Sequence, residues 1–327
     1  MKTSMRLLAN SFLILGLLLP ARAAEAPSFT LDSNFLKLPG GMKTVGDGHG
    51  DIALSPSGDI YVSVQGGERP GIQVYDGSGN YLRNLTGAPA DLHGFIIARG
   101  RDGASSIFGV SRLAQEIVQV SLDGRRLLTI PASTIPAKYK KDDKQAINLT
   151  GIAVAPGGDI YVTDGYGLDY IHRFSAAGKY LRTFGGKEAP WNFDQCHKIA
   201  IDSRFSPARL LCTDRRHDRL VHMDLNGRVI GVHAEGLRYP SALAVYKNEL
   251  AVAELKGRVS IIDKSGRIIA SIGTNENVDE IRTNRAAPEI WRNGLFYAPH
   301  GIAYGANGDL FITEFNMFGR VTKARRD

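Results

Sequence analysis

Beyond its first twenty residues this 327-residue chain has no apolar run approaching the roughly 20 residues that cross a bilayer as a helix, which excludes a membrane-spanning helix there. It also lacks a strong charge of one sign. The formal net charge is +7, and the densest basic run, Lys138 to Lys144, is broken by Asp142 and Asp143. Such a stretch reads as a solvated loop, so no nucleic-acid footprint is present. Helical periodicity is missing almost everywhere; the exception is a short candidate helix over Val278 to Arg285. Cysteine is scarce too, limited to Cys196 and Cys212. In an oxidising compartment the two can bridge, and otherwise they are buried thiols; both readings stay open.

The N-terminus carries an export signal. Lys2 and Arg6 precede the largely apolar stretch Leu7 to Leu19, and Ala21-Arg22-Ala23 has the small-x-small form that signal peptidase cleaves. Cleavage is expected after Ala23, with Ala26 as the second choice. The mature charge is then +4, 37 basic residues against 33 acidic, because Lys2, Arg6 and Arg22 leave. A secreted or periplasmic protein is expected, as a monomer with no membrane or nucleic-acid partner.

Glycine is plentiful, 37 residues, which fits a chain with many tight turns. The turns are periodic. Thr150 to Gly185 holds four short apolar strands separated by turn residues, and the same template begins again near residues 50, 93, 150, 197, 241 and 300. Four strands per repeat make one blade of a β-propeller, so an all-β, six-bladed propeller is expected. Two spacings are long, and carry insertions at Pro131 to Asn148 and Thr274 to Tyr297. The sixth repeat ends after three strands, which would leave an exposed edge. The segment Phe29 to Leu38 is a strand candidate without a blade, and is expected to close the ring. The domains are thus 1–23 (signal), 24–44 (segment with the closing strand) and 45–327 (propeller).

Aligning the repeats exposes a chemical pattern. The position just before the first strand of each blade holds Gly50, His93, Thr150, His197, Ser241 and His300. Histidine recurs in alternate blades, a third of a turn apart, where first strands line the central channel. Three imidazoles meeting on an axis make a metal site with open positions, suited to zinc and also to iron, nickel or copper. A structural or substrate-binding ring is the alternative. His49 adjoins Gly50 at the channel mouth, whereas His172 and His222 fall in third strands and His217 and His233 on loops.

Loops after the second strands open on one face. They carry Asp164-Gly165-Tyr166, Asp214-Arg215-Arg216 and Glu314-Phe315-Asn316. A tyrosine beside a Lewis acid and a guanidinium is favoured as its phenolate, so Tyr166 is a candidate general base. Arg215 is a candidate partner for a carboxylate. The alternative is that Asp164 and Asp214 only tie up turn backbone.

The blades resemble NHL-type repeats. The set His93, Tyr166, His197, Arg215 and His300, within the stretches LHG (92–94), YVTDGYGLDYIHRFSAAGKY (161–180), CTDRRHDRL (212–220) and PHGIAYGANGDLFITE (299–314), is similar to the lyase domain of peptidylglycine α-amidating enzyme. That resemblance runs over roughly residues 45 to 327. It implies a zinc ion on His93, His197 and His300, with Tyr166 as base and Arg215 near the substrate carboxylate or the tyrosine oxygen. It also implies release of glyoxylate from a peptidyl-α-hydroxyglycine. The family's second arginine, after the second strand of its first blade, is matched here by Gln65; Arg69 is the nearby substitute, and with Arg216 completes the expected substrate-binding residues. Gly301 stands where the family has a calcium-binding aspartate, so calcium is not expected. The expected activity is a zinc-dependent lyase acting on a small carboxylate-bearing or peptide-derived substrate. A non-catalytic propeller binding a protein or glycan is the alternative, ahead of a lactonase-type enzyme.

Overall fold

The computed structural model describes residues 26–100, 102–140 and 147–327, so the expected signal segment lies outside the described residues. Recurrent glycine turns divide the chain into short strands. Between the third and fourth strands of five blades, Gly79, Gly124, Gly178, Gly227 and Gly266 all take φ between +80° and +100°. This left-handed region is open to glycine and costly for other residues. Asp76, Asp224 and Asp263 brace three of these turns by accepting N–H groups two and four residues on.

The strands pair into six four-stranded antiparallel sheets, arranged as a six-bladed propeller. Their innermost strands are Ile52–Leu54, Leu92–Arg99, Gly151–Val154, Cys196–Asp202, Pro240–Tyr246 and Pro299–Tyr304, each within two residues of the expected start. The strand Phe29–Asp32 completes the sixth blade by pairing with Arg320–Arg326, from Phe29 opposite Arg326 to Asp32 opposite Lys323. The rest of the expected closing strand turns away, and Lys37 bridges to Asn80 on blade one. Ser28 and Thr30 add hydrogen bonds to the carboxylate of Asp327.

Burial explains the strand sequences. Second strands such as Ile60–Val64 and Leu310–Glu314 are buried along their whole length, because neighbouring blades cover both faces. Fourth strands such as Tyr81–Leu85 and Tyr180–Gly185 leave two or more side chains exposed, as edges do. The apolar side chains gather into six clusters, one at each blade–blade boundary. Phe108, Val110 and Ile130 of blade two meet Ile152, Val162 and Phe174 of blade three. Ile60 and Val62 of blade one meet Phe311 and Val321 of blade six, which closes the ring.

Two local expectations need correction, on the helix and on His233, and the open question of the cysteines is answered. Val278 to Arg285 is not helical: it holds a turn and bends, and the second insertion forms only the 3₁₀ turn Pro288–Ile290. His217 lies in the 3₁₀ turn Arg215–His217, and His233 in the strand Val229–Ala234 rather than a loop. Cys196 and Cys212 are bridged, with Cα atoms 5.8 Å apart. Such a bond is compatible with an extracellular setting. No helix among the described residues is long and apolar enough to cross a membrane.

Candidate metal centre and channel mouth

The histidines enter the channel through a defect in strand pairing. The inner strands of blades two, four and six lose register between Leu92 and Gly94, between Cys196 and Ile199, and between Pro299 and Gly301. His93, His197 and His300 lie inside these irregularities. An extra residue in one strand bends it and re-aims a side chain, which here points each imidazole inward. Gly301 is needed beside its histidine: a Cβ there would lie 2.5 Å from Thr313 Oγ1 and 2.8 Å from Asp51 Cα.

The ring centres of His93, His197 and His300 form a nearly equilateral triangle with sides of 5.0, 5.0 and 5.1 Å. Each is at most 2 % exposed. His93 Nδ1 donates to the carbonyl of Thr150 at 2.8 Å, and His197 Nδ1 to that of Ser241 at 2.7 Å. Both carbonyls belong to the corresponding position of the next blade. A proton held on Nδ1 leaves the Nε2 lone pair facing the axis. His300 has no such anchor, and both its ring nitrogens are buried without a partner, as is His93 Nε2.

His49 joins this group. Its ring lies 4.9 Å from His93 and 5.1 Å from His300. His49, His93 and His300 offer nitrogens all within 4.8 Å of one another. His197 Nε2 instead accepts the Tyr166 hydroxyl at 3.0 Å. Burial pushes His49 down to about 3 and holds His93, His197 and His300 well below the usual histidine range, with nearby positive charge adding to the effect. All four are therefore neutral near pH 7, the form that ligates a metal.

Above the ring stands Tyr166. Its hydroxyl is 3.5 Å from His49 Nε2 and 3.5 Å from Arg215 Nη1. Arg215 is buried, with Nη2 lacking a partner. A second guanidinium, Arg112, lies 5.1 Å from the centre of the Tyr166 ring. The carboxylates of these loops are occupied elsewhere. Asp164 accepts the N–H groups of Asn148 and Leu168, Asp214 that of Asp194, and Glu314 those of Tyr297 and Ala298. They fix the approach to each blade, and burial raises Asp164 to about 6. Asn316 is likewise committed, donating to Ala286, while Phe315 packs 4.5 Å from His49.

Two expected substrate-binding residues do not join the cluster. Arg69 lies 5.5 Å from the ring centre of Tyr81, on the outer strand of blade one. Arg216 is about half exposed and reaches Asp194 at 3.5 Å. Gln65 braces the site by donating to the carbonyls of His49 and Leu92. Arg112 was missed because its loop follows blade two's second strand without any acidic or aromatic signature. Register to the channel was the signal available for His49.

No family model matches the chain. A curated relative, peptidyl-alpha-hydroxyglycine alpha-amidating lyase 2 of Drosophila melanogaster, is 28% identical over 191 residues, covering 56% of this chain. The match spans 44% of that relative's length. Among solved structures, a streptogramin B lyase covers 91% of this chain and 98% of its own at 16% identity, with a TM-score of 0.57. A gluconolactonase from Xanthomonas campestris covers 87% and 89% at 14% identity, with a TM-score of 0.59. At these identities the solved structures share the propeller fold; the resemblance to an amidating lyase rests on sequence.

Proposed function

We propose that the chain is an exported, zinc-dependent lyase that cleaves a carbinolamide-type C–N bond in a small or peptide-derived substrate bearing a carboxylate. The observation that carries this reading is the anchoring of two imidazoles through Nδ1 beside a third histidine, with His93 Nε2 buried and unpartnered and His197 Nε2 held only by the Tyr166 hydroxyl. The donor set fits zinc: three neutral, buried imidazoles whose rings lie about 5 Å apart. His93, His197 and His300 would hold the ion, which supplies Lewis-acid polarisation of the substrate hydroxyl.

The chain's own residues account for the rest. The Tyr166 hydroxyl donates to His197 Nε2 at 3.0 Å, the nitrogen required for ligation, so loading the site releases that hydroxyl for the substrate. Tyr166, having given up its own proton to solvent once the site is loaded, then accepts the substrate hydroxyl proton and passes it to the departing nitrogen. The oxygen's electrons form the new carbonyl as the C–N bond breaks. Arg215 beside the tyrosine oxygen stabilises negative charge there. The similarity to an amidating lyase supports a peptidyl-α-hydroxyglycine as the first substrate to test.

The test incubates zinc-loaded protein with a peptidyl-α-hydroxyglycine and measures glyoxylate. Turnover is expected, with a loss of at least about a hundredfold in Tyr166→Phe at unchanged zinc content. A wild-type protein that binds no metal and releases no glyoxylate, yet still recognises a protein or glycan, would replace this reading with a binding propeller.

A further inference from the structure

The two arginines at the channel mouth share an unusual property. Arg112 follows the second strand of blade two and Arg215 the second strand of blade four, and their guanidiniums lie 5.1 and 6.0 Å from the centre of the Tyr166 ring. Arg112 donates through Nε to Asn148 Oδ1 at 2.9 Å, and its terminal nitrogens donate to no described residue. Arg215 uses Nε and Nη1 on an oxygen of Pro240 and on Tyr166, both at 3.5 Å, and its Nη2 is buried and unpartnered. Among the described residues neither arginine has a carboxylate partner, although ion pairs serve many others, including Arg204, Arg258 and Arg320.

Burying a guanidinium without a counter-charge is costly, and Arg215 is buried while Arg112 is partly so. Its neighbours add no compensation, since His49, His93, His197 and His300 are neutral or, if protonated, would repel it. The mouth therefore carries two uncompensated positive charges converging on one aromatic ring, and an anion arriving with the ligand would complete the balance. We infer that Arg112 and Arg215 form a two-blade clamp for the carboxylate of the substrate, with Arg112 taking the part assigned on sequence to Arg69. The inference rests on the lyase reading for the identity of the substrate, while the clamp itself does not require the metal. A forked guanidinium can present two parallel N–H donors to a carboxylate, which makes lysine an incomplete substitute.

The test titrates glycolate, a minimal α-hydroxy carboxylate, into the full mature protein by calorimetry, once after chelator treatment and once zinc-loaded. Its methyl ester serves as the neutral control. Wild type is expected to bind glycolate and discriminate against the ester in both forms. R112Q is expected to weaken glycolate by about ten- to a hundredfold in both, the range for a lost charge-assisted hydrogen bond. R112K should recover part of the loss, and R69Q should bind as wild type. Unchanged zinc stoichiometry in R112Q and R112K shows that the site remains folded. Equal glycolate affinity in R112Q and wild type, an equal loss in R69Q, equal binding of the ester, or no glycolate binding by wild type would each overturn the clamp. Zinc binding with a silent Arg112 would defeat the clamp and leave the lyase reading intact. An Arg112-dependent carboxylate site in a protein that binds no zinc would do the reverse.

Discussion

Replacing Lys198 with methionine tests whether the axis below the histidines is as dry as its packing indicates. Lys198 reaches across the channel from blade four to Asp51 at the inner edge of blade one, and their side chains are 7 and 5 % exposed. Asp51 Oδ2 also accepts the N–H of Phe95 from blade two at 3.0 Å, so one carboxylate ties three blades together. An open cavity of about 230 Å³ adjoins the pair, lined by Lys198 together with Ile52, Phe95, Leu243 and Ile302. Burial pushes the Asp51 carboxyl up, and the ammonium of Lys198 opposes that shift. In K198M the opposition is gone, and the folded protein should hold Asp51 protonated.

Relative to an unfolded value of 3.8, taking up that proton at pH 7 costs about 4 kcal/mol, and at pH 5 only about 2 kcal/mol. The first figure falls within the 3–5 kcal/mol typical of breaking a buried pair. Urea unfolding of wild type and K198M at both pH values, with matched slopes, measures the difference. K198M/D51N should recover most of the loss, because it leaves no charge unpaired. A penalty below about 1 kcal/mol, or one equal at the two pH values, would mean that water reaches the pair and would refute the reasoning.

Other perturbations follow from the same structure. Removing the Cys196–Cys212 bridge in C196A/C212A should cost about 3 kcal/mol, the loop-closure value for a span of this length, read as a lowered denaturation midpoint. Burial pushes His172 down to about 3, below its ordinary 6.5. The unfolded chain therefore binds a proton that the folded one excludes; the stability is whole above pH 6.5 and erodes as pH falls toward 3. From pH 6.5 to 5 this proton is worth about 2 kcal/mol, so wild type should lose that much more than H172Q between pH 7 and 5. Asp164 and Asp169, raised by burial to about 6 and about 7, act in the opposite direction but equally in both proteins.

The fold was legible because its unit is local. A strand, a glycine turn and a second strand recur with little variation, and an orphan segment near Phe29 matches a blade short of one strand. The histidine register was legible because equivalent positions in alternate blades must face the same axis. Pairing irregularities were not, since residues such as Leu92-His93-Gly94 carry no turn signature of their own. Arg112 escaped for a related reason, and His49 was placed only at the channel mouth, not among the ring imidazoles. Each reaches the site from a loop whose direction depends on packing against another blade, as when Gln65 holds the carbonyl of His49 and Asn148 holds the Nε of Arg112. Arg69 shows the converse: closeness in sequence to the expected position did not prevent its stacking on Tyr81 at the outer edge.

Anomalous X-ray diffraction at the zinc edge, on crystals of zinc-loaded protein, tests the central claim most directly. The account predicts one ion on the channel axis, about 2.1 Å from Nε2 of His93, His197 and His300, with Tyr166 turned away from His197. An axis without a metal, or an ion held by His49, His93 and His300 while Tyr166 keeps its hydrogen bond to His197, would contradict it.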